Sequence, residues 1–407
     1  MFKLKLHWQI LIGLFLGVLY GMFFTDYVSY VAWSGDLFLR ALKMLIVPLI
    51  FTSITSGIIN IGDAQNLGRL GLKTFAYYIT TSLFAIFTGL ILVNLLQPGV
   101  GANLGFTQNV TKLTNVSDSL GNILLRLVPT NIISALSTGD MLAIIFFSIL
   151  IGYFITKLKI IYRDPLANLF NGGFELMMNV TAFVIKFTPI GIFGIVAAVV
   201  ADQAGDKQAL WGIVQRLGIY MAAVSLGLGF HSLVTLPLLL KFVGKVDPWL
   251  HFKSMTTPLL TAFSTSSSSA TLPLTMDAVE NNAGVSNKIT SFILPLGATI
   301  NMDGTALYEL VAAMFIAQAY GIDLSFVQQL VVVFTALLAS IGAAGIPMAG
   351  LVMITVILSA VGLPLEGVGL ILAVDRILDM GRTAVNVWSD SCGAVIIAKS
   401  EGETLKV

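Results

Sequence analysis

The chain has 407 residues, of which 57% are hydrophobic and 11% are charged, whereas soluble globular proteins average about 25% charged residues. This composition excludes a soluble enzyme and favours a membrane protein. The 22 Lys and Arg residues nearly balance the 21 Asp and Glu residues, so no surface for a nucleic acid is indicated, and the single cysteine, Cys392, excludes a disulfide framework.

Six apolar segments before residue 245 are predicted to span a bilayer, because a spanning helix needs about 20 mostly apolar residues. They lie near 10–24, 37–60, 74–97, 120–157, 166–202 and 210–242. The fourth and fifth segments are long enough to tilt, or to break at Pro129 and Pro189. The polar stretch 98–119 is predicted to be an external loop.

The charges in the loops set the orientation, because cytoplasmic loops retain Lys and Arg. One set of span ends carries Lys3, Lys5, Arg69, Lys73, Lys157, Lys159, Arg163, Lys241, Lys245 and Lys253. The opposite loops carry essentially Lys112 and Lys207. The N-terminus is therefore predicted to lie in the cytoplasm, and six crossings return the chain there near residue 245.

Four segments after residue 250 interrupt the apolar pattern at the depth of the membrane. They lie at 264–273, 299–305, 339–347 and 375–383. Backbone can leave the helix there only where it is buried in protein or lines a cavity, so we expect all four segments to converge on one site. Two small-residue tracts, ending in Pro273 and Pro347, each precede a polar motif. This weak repeat predicts two re-entrant hairpins, each followed by a helix that carries the motif.

The segment 375–391 contains a polar stripe, because its polar residues recur every three or four positions. The stripe consists of Asp375, Asp379, Arg382, Thr383, Asn386 and Asp390. One alternative is structural ion pairing, of Asp379 with Arg382 and of Asp375 with the arginine that follows it. The surplus of polar groups beyond those pairs favours function, because charges inside a membrane are expensive.

The stripe suits a zwitterionic ligand with a second carboxylate. The planar guanidinium of Arg382 matches a side-chain carboxylate, and Asp379 matches an ammonium group. The α-carboxylate then needs hydroxyl and N–H donors, which Ser267, Ser268 and a nearby helix N-terminus can supply. Asn386 is a further candidate.

Oxygen-rich clusters indicate a hard cation such as Na⁺, because no Cys or His accompanies them. Asn301 and Asp303 lie beside a glycine that permits unwinding, and Asp390 with Asn386 forms a second cluster. The third span adds the hydroxyl groups of Tyr78, Thr81 and Ser82. Hydroxyl groups in membrane helices more often bond their own backbone or a neighbouring helix.

Glu309 is a lone carboxyl group in apolar surroundings, two helical turns after Asn301. Desolvation favours the neutral form of such a group, which could then exchange a proton. A protonated Glu hydrogen-bonded to a neighbouring helix fits the sequence equally well.

A serine nucleophile in the run 264–269 is disfavoured, because serine chemistry needs an adjacent base. His7, His231 and His251 are predicted to lie near span ends or in a cytoplasmic loop. Ser and Gly runs more often serve close packing, and Cys392 is predicted to be a small packing residue.

These motifs resemble the dicarboxylate/amino acid:cation symporter family of glutamate transporter homologues. SSSSATLPLTM, NMDGTALYE, ASIGAAGIP and DMGRTAVNV match the family's two hairpin tips and its two unwound or polar helices, in the right order. The resemblance covers essentially the whole chain and is most specific between about 230 and 400.

The resemblance implies an all-α membrane protein with eight transmembrane helices, two re-entrant hairpins and inverted repeats, assembled as a homotrimer that works by an elevator movement. The implied divisions are 1–73 (scaffold helices 1 and 2), 74–97 (transport-domain helix 3), 98–119 (external loop), 120–206 (scaffold helices 4 and 5), 207–400 (transport domain, from helix 6 to helix 8) and 401–407 (cytoplasmic tail). Both termini would be cytoplasmic, and the short loops suggest a prokaryotic inner membrane.

The resemblance also implies the site residues. The substrate would be bound by Ser267, Ser268, Met302, Thr305, Ile346, Gly350, Asp379, Arg382, Thr383 and Asn386. Sodium would be bound by Gly297, Asn301, Asn386 and Asp390, by backbone groups of Thr299, Ser340, Ile341 and Ala343, and by Tyr78, Thr81, Ser82, Asn301 and Asp303.

Two positions indicate substrate and coupling. Family members that carry neutral amino acids lack the arginine at Arg382, so its presence favours glutamate or aspartate. Glu309 matches a proton-carrying position, which favours H⁺ co-transport with Na⁺ and allows K⁺ counter-transport. A proton-coupled dicarboxylate or neutral amino acid transporter and a substrate-gated anion channel stay open as alternatives.

One position departs from the family. A second arginine usually stands in the first hairpin tip or on the last helix, where this chain has Ser266 and Met380. Arg376 lies one turn before Met380 and is the candidate for a compensating arginine.

Overall fold

The computed structural model describes residues 6–65, 69–101, 125, 128–202, 207–343 and 349–407. Regular structure within these residues is helical. The helices are α1 (Leu6–Phe23), α2 (Ser29–Gln65), α3 (Arg69–Leu96), α4 (Ile132–Thr138), α5 (Met141–Thr156), α6 (Ile160–Ile185), α7 (Thr188–Asp202), α8 (Lys207–Phe230), α9 (Leu236–Leu239), α10 (Pro248–Ser254), α11 (Thr256–Thr265), α12 (Ser268–Asp277), α13 (Asn287–Ile300), α14 (Asp303–Ala319), α15 (Phe326–Gly342), α16 (Ala349–Val361) and α17 (Val368–Ser400). Most of the predicted external loop 98–119 lies outside the described residues.

Four helical stretches among the described residues are long and apolar enough to cross a membrane. They are Ser29–Asn60, Arg69–Leu96, Trp211–Gly244 and Asn287–Ala319. A fifth crossing is formed if α6 and α7, which are bent by 54°, make one span. The full count of eight therefore stays a prediction.

The bend between α6 and α7 confirms the break predicted at Pro189. The last turn of α6 tightens, since Phe187 N donates to Val184 O at 3.0 Å. Pro189 then lies in the first turn of α7, where its missing N–H removes no helical hydrogen bond. At Pro129 the chain is non-helical, and α4 begins three residues later.

A first group of helices packs through small residues. Helix α1 lies along α7, and α2 contacts α5, α6 and α7. Glycines spaced four apart on α1 face the α7 backbone, because a Cβ on Gly17 would lie 2.9 Å from Phe193 O and one on Gly21 would lie 2.6 Å from Ala197 O. Small residues let membrane helices approach this closely.

A second group surrounds α14, which is the most buried helix. Helix α14 contacts α3, α8, α15, α16 and α17, and its residues from Asp303 to Ala317 are all buried. Helix α8 continues through π-helical stretches at His231–Thr235 and Leu240–Gly244. This group contains most of the candidate site residues, whereas Ser267 and Ser268 lie at the start of α12 and Gly297 and Thr299 lie on α13.

The two predicted hairpins are present as pairs of packed helices. Helices α11 and α12 pack on each other and meet at Ser266, whose φ of 54° is left-handed. Helices α15 and α16 form the second pair and also contact α2. Its tip, with Ile346, lies outside the described residues.

Three other interruptions were predicted, at 299–305, 339–347 and 375–383. The first and the last lie wholly within the described residues, and only the first is a break between two helices. The break at 299–305 is confirmed, because α13 ends at Ile300 and α14 begins at Asp303. The break at 375–383 is wrong, because α17 is one continuous helix of 33 residues. The polar side chains there bond one another or a neighbouring helix, as Asp379 bonds Arg382 and Asp375 bonds Tyr308. The backbone hydrogen bonds of the helix therefore stay intact.

The tail 401–407 folds back onto the base of the first hairpin. Glu401 accepts hydrogen bonds from Arg69 at 2.8 Å and from Lys73 at 2.7 Å. Glu403 accepts from the backbone N of Ser286 at 2.9 Å. The Lys406 amide donates to Ala283 O at 2.9 Å. The tail therefore connects α3 to the segment between α12 and α13.

Replacing Glu401 with Gln should loosen the tail at neutral pH. Hydrogen bonds from Arg69 and Lys73 hold the pKa of Glu401 at about 2, below the ordinary value of 4.5. Since the folded-state pKa is lowered, this attachment is present above the unfolded pKa and is lost as the pH falls toward 2. We expect faster hydrogen exchange at the Lys406 amide in Glu401→Gln at pH 7. Unchanged exchange would contradict this, and Glu280→Gln, on the exposed side chain that accepts from Asn287, is the control.

Candidate functional site

The break before α14 is stabilised by a side chain from α17. Asn386 Oδ1 accepts from the backbone N of Gly304 at 2.8 Å, and its Nδ2 donates to Thr305 Oγ1 at 3.0 Å. The amide of Asn386 thereby satisfies a free N–H at a helix N-terminus. The structure thus brings Asn386 and Thr305, both predicted site residues, into contact.

Asp303 lies at the centre of a buried oxygen cluster. Its Oδ1 accepts from Ser82 Oγ at 2.6 Å and from Thr81 Oγ1 at 3.2 Å. Thr81 Oγ1 is also 3.4 Å from Asn301 Oδ1. The predicted cluster of Thr81, Ser82, Asn301 and Asp303 is therefore assembled, and its ligands are oxygens of the kind that hard cations prefer.

Two residues of this cluster were missed by the sequence reasoning. His231 Nε2 lies 3.1 Å from Asp303 Oδ2, and Ser389 Oγ donates to the same oxygen at 2.6 Å. The prediction that His231 lies near a span end is wrong, because it lies well inside the span Trp211–Gly244 and is completely buried. His251 lies in α10, after the end of that span, and is also buried. A signal was available, since a histidine inside an apolar span is expected to be functional.

A second oxygen cluster surrounds Asp390. Asn301 Nδ2 donates to Asp390 Oδ1 at 2.9 Å. Gly297 lies so close that a Cβ there would be 2.5 Å from Asp390 Oδ1 and 2.9 Å from Tyr78 Oη. Tyr78 Oη itself donates to Ile293 O at 2.7 Å. Asn301 therefore borders both clusters.

The predicted backbone ligands lie at the C-termini of two helices. Thr299 belongs to the last turn of α13, and Ser340 and Ile341 belong to the last turn of α15. These helices contact each other, and Ala343 N donates to Ser340 O at 3.2 Å. Carbonyl groups at helix C-termini favour cations.

Arg382 and Asp379 form a buried pair on α17. Arg382 Nη2 lies 2.6 Å and its Nε 2.8 Å from Asp379 Oδ1. The guanidinium lies 5.0 Å from the centroid of the Tyr308 ring. Its Nη1 has no hydrogen-bond partner among the described residues. Because a buried donor without a partner is costly, this atom is available to an anionic ligand.

The pairing of Asp375 with Arg376, which belonged to the alternative of structural ion pairing, is not formed. Asp375 Oδ1 accepts from Tyr308 Oη at 2.5 Å, and Arg376 instead lies 3.9 Å from Asp379 Oδ2. The Arg376 side chain is 28% exposed. Asp379 therefore lies between two arginines, one buried and one partly exposed.

The remaining predicted substrate residues within the described part of the chain are buried, and several have local roles. Ser267 Oγ accepts from Ala270 N at 3.1 Å and caps α12. Ser268 lies in the first turn of that helix, and Met302 lies in the break before α14. Thr383 Oγ1 donates to Asp379 O at 2.8 Å.

Glu309 is completely buried in α14. Neither carboxyl oxygen has a hydrogen-bond partner among the described residues, so the structure does not show the helix-to-helix hydrogen bond that was one reading of this residue. Because an unpaired buried charge is expensive, the neutral form is favoured. The break at Asn301 also means that the two residues do not share one continuous helix.

Alanine at Gly350 should destabilise the fold. A Cβ there would overlap Arg382 Nη1, so the guanidinium or α16 must move, at a cost of about 1 to 3 kcal/mol. Gly381→Ala is the control, because its Cβ would only meet Leu228 Cδ1 at 3.6 Å, and alanine favours a helix by about 0.5 to 1 kcal/mol. Thermal unfolding in detergent measures both. Equal melting temperatures would refute the close contact.

Comparisons with known proteins identify the family. The model of the sodium:dicarboxylate symporter family matches residues 6–400. The chain is 36% identical to the proton/glutamate-aspartate symporter of Escherichia coli K12, over 98% of this chain and 93% of that protein. It is 37% identical to the proton/sodium-glutamate symport protein of Bacillus caldotenax, over 98% and 96%, and 35% identical to mouse excitatory amino acid transporter 3, over 99% and 87%. The chain is an integral membrane protein, not an enzyme, and it belongs to the sodium:dicarboxylate symporter family.

Proposed function

We propose that the protein is a secondary active symporter of acidic amino acids, L-glutamate and L-aspartate, driven by a Na⁺ gradient together with H⁺. The observation that carries the proposal is the buried Arg382, whose Nη1 has no hydrogen-bond partner among the described residues. The relatives named as glutamate and aspartate symporters support the same substrate class.

The substrate has three charged groups, and a different part of the site binds each of them. Arg382 binds the side-chain carboxylate with its free Nη1, since a guanidinium and a carboxylate pair strongly. Asp379 binds the amino group, and hydroxyl and N–H donors bind the α-carboxylate. The remaining contacts come from Ser267, Ser268, Met302, Thr305, Ile346, Gly350, Thr383 and Asn386.

Sodium binds where buried oxygens cluster. One ion lies near Asp303, with Thr81, Ser82 and Asn301. Tyr78 is assigned to the same ion, although its hydroxyl group donates to Ile293 O. A second lies near Asp390, with Gly297, Asn301 and Asn386, and a third lies between the ends of α13 and α15, at Thr299, Ser340, Ile341 and Ala343. Asn301 lies between the first two, so binding at one orders a ligand of the other.

Glu309 carries the proton, because its buried carboxyl group has no partner among the described residues and neutralisation removes the cost of burial. The same site allows K⁺ counter-transport. Arg376 takes the place of the second arginine, since it lies 3.9 Å from Asp379 Oδ2.

Transport proceeds by an elevator movement in a homotrimer embedded in lipid. The group of α1, α2 and α4 to α7 forms the scaffold, and α3 with α8 to α17 forms the mobile transport domain. The packing of the helices into these groups supports the division. The protein has eight transmembrane helices, inverted repeats and two re-entrant hairpins, and it lies in a prokaryotic inner membrane with both termini in the cytoplasm.

Uptake of radiolabelled aspartate and glutamate into proteoliposomes tests the function. An inward Na⁺ gradient should concentrate substrate, which a channel cannot do. Arg382→Ala should abolish uptake, and Arg382→Lys should retain only a small fraction, because lysine lacks the planar fork. Arg163→Ala, on a partly exposed arginine of α6 that pairs with Asp164 at 3.0 Å, is the control. Proton-driven uptake without Na⁺, or retained uptake by Arg382→Ala, would overturn the proposal.

Glu309→Gln should separate proton coupling from sodium coupling. Glutamine is nearly isosteric but carries no proton, so Na⁺-driven uptake should continue while its dependence on pH is lost. Uptake at several external pH values, with internal pH fixed, measures this. A pH dependence identical to that of the original protein would exclude Glu309 as the proton carrier.

A further inference from the structure

The two carboxylate oxygens of Asp303 contact different sets of partners. Oδ1 faces α3, where Thr81 and Ser82 donate to it. Oδ2 faces away, toward His231 at 3.1 Å and Ser389 at 2.6 Å. The side chains of Asp303 and His231 are both completely buried. The two oxygens therefore cannot exchange roles without breaking contacts on both sides.

The geometry suits one tautomer of His231. An ionised carboxylate only accepts hydrogen bonds, so its neighbour at Nε2 must donate. A proton therefore lies on Nε2, whereas Nδ1 has no hydrogen-bond partner among the described residues. Ser389 adds a second donor to Oδ2 and accepts from Asn301 Nδ2 at 3.1 Å.

The helix that carries His231 has a local distortion at this residue. His231 begins the first of the two π-helical stretches that continue α8, His231–Thr235. A single wide turn changes the face on which later side chains lie, and such turns occur often at functional sites. The distortion coincides with the contact to Asp303.

We propose that His231 and Ser389 are positioning residues for the Na⁺ at Asp303: they hold Oδ2 and so present Oδ1, with the hydroxyl groups of Thr81 and Ser82, to the ion. This inference rests on the proposed sodium coupling and extends it to two residues. Partners behind a metal-binding carboxylate orient the ligand, and their loss typically weakens metal affinity about 10-fold to 100-fold.

A Na⁺ titration of thermal stability, without substrate, tests the proposal directly. A cation that binds only the folded state raises its melting temperature with a midpoint set by its affinity. The purified full-length protein in detergent is titrated with NaCl against choline chloride at constant ionic strength. We expect the midpoint to rise at least about 10-fold in His231→Asn and in Ser389→Ala.

His231→Gln is the rescue variant, because its amide nitrogen extends about as far as Nε2, whereas the Asn amide is one methylene shorter. We expect a midpoint close to that of the original protein. His251→Asn is the matched control. His251 is equally buried, but its Nε2 contacts Ser391 at 3.2 Å and not Asp303.

The outcomes separate the inference from the proposed function. If Na⁺ does not stabilise the original protein, the proposed sodium binding is contradicted. The inference, which rests on it, is then contradicted as well. If Na⁺ stabilises the original protein, an unchanged midpoint in both His231→Asn and Ser389→Ala overturns the inference alone. If the Na⁺ midpoint rises equally in His231→Asn and His231→Gln, the role of the Nε2 donor is overturned. If His231→Asn does not fold, Ser389→Ala decides.

Discussion

The break between α13 and α14 needs hydrogen-bond partners that only the surrounding helices can supply. At membrane depth the freed N–H groups of Gly304 and Thr305 need acceptors, since water is excluded there. Asn386 provides one oxygen for both groups, at 2.8 and 3.4 Å. This contact fixes α17 against the start of α14, and with it the position of every polar residue of α17.

Once α17 is fixed, the charged residues sort into two sides of the same break. Asp379 and Arg382 pair with each other on one side. On the other side Ser389 bonds Asp303, Asn301 bonds Asp390, and Asn301 also donates to Ser389, so the two carboxylates are linked through these two residues. In the proposed function, this separation places the zwitterionic substrate and the cations on different groups, with Asn386 the residue assigned to both. Glu309 lies on the same helix as Asp303, with no partner among the described residues.

The sequence predicted these features to different extents. The breaks at Ser266, at Asn301 and at Pro189 were predicted, because small, polar or proline residues interrupt apolar runs and the backbone must respond. The continuity of α17 was not, because polar side chains do not break a helix when they pair laterally. His231 lies inside an apolar segment, which is a signal of function, but the sequence alone does not show that it contacts Asp303. Ser389 differs from many other serines only through its neighbours in three dimensions.

The tail described above also has a practical consequence. Val407 and Leu405 pack against the same apolar cluster as Ile289 and Val279, so the last residue of the chain lies beside the base of the first hairpin. Under the proposed elevator movement, a fluorophore attached at Val407 would move with that hairpin, and its distance to a second dye on α2 would follow the displacement. The same proximity means that a bulky group attached at Val407 would lie against the base of the first hairpin.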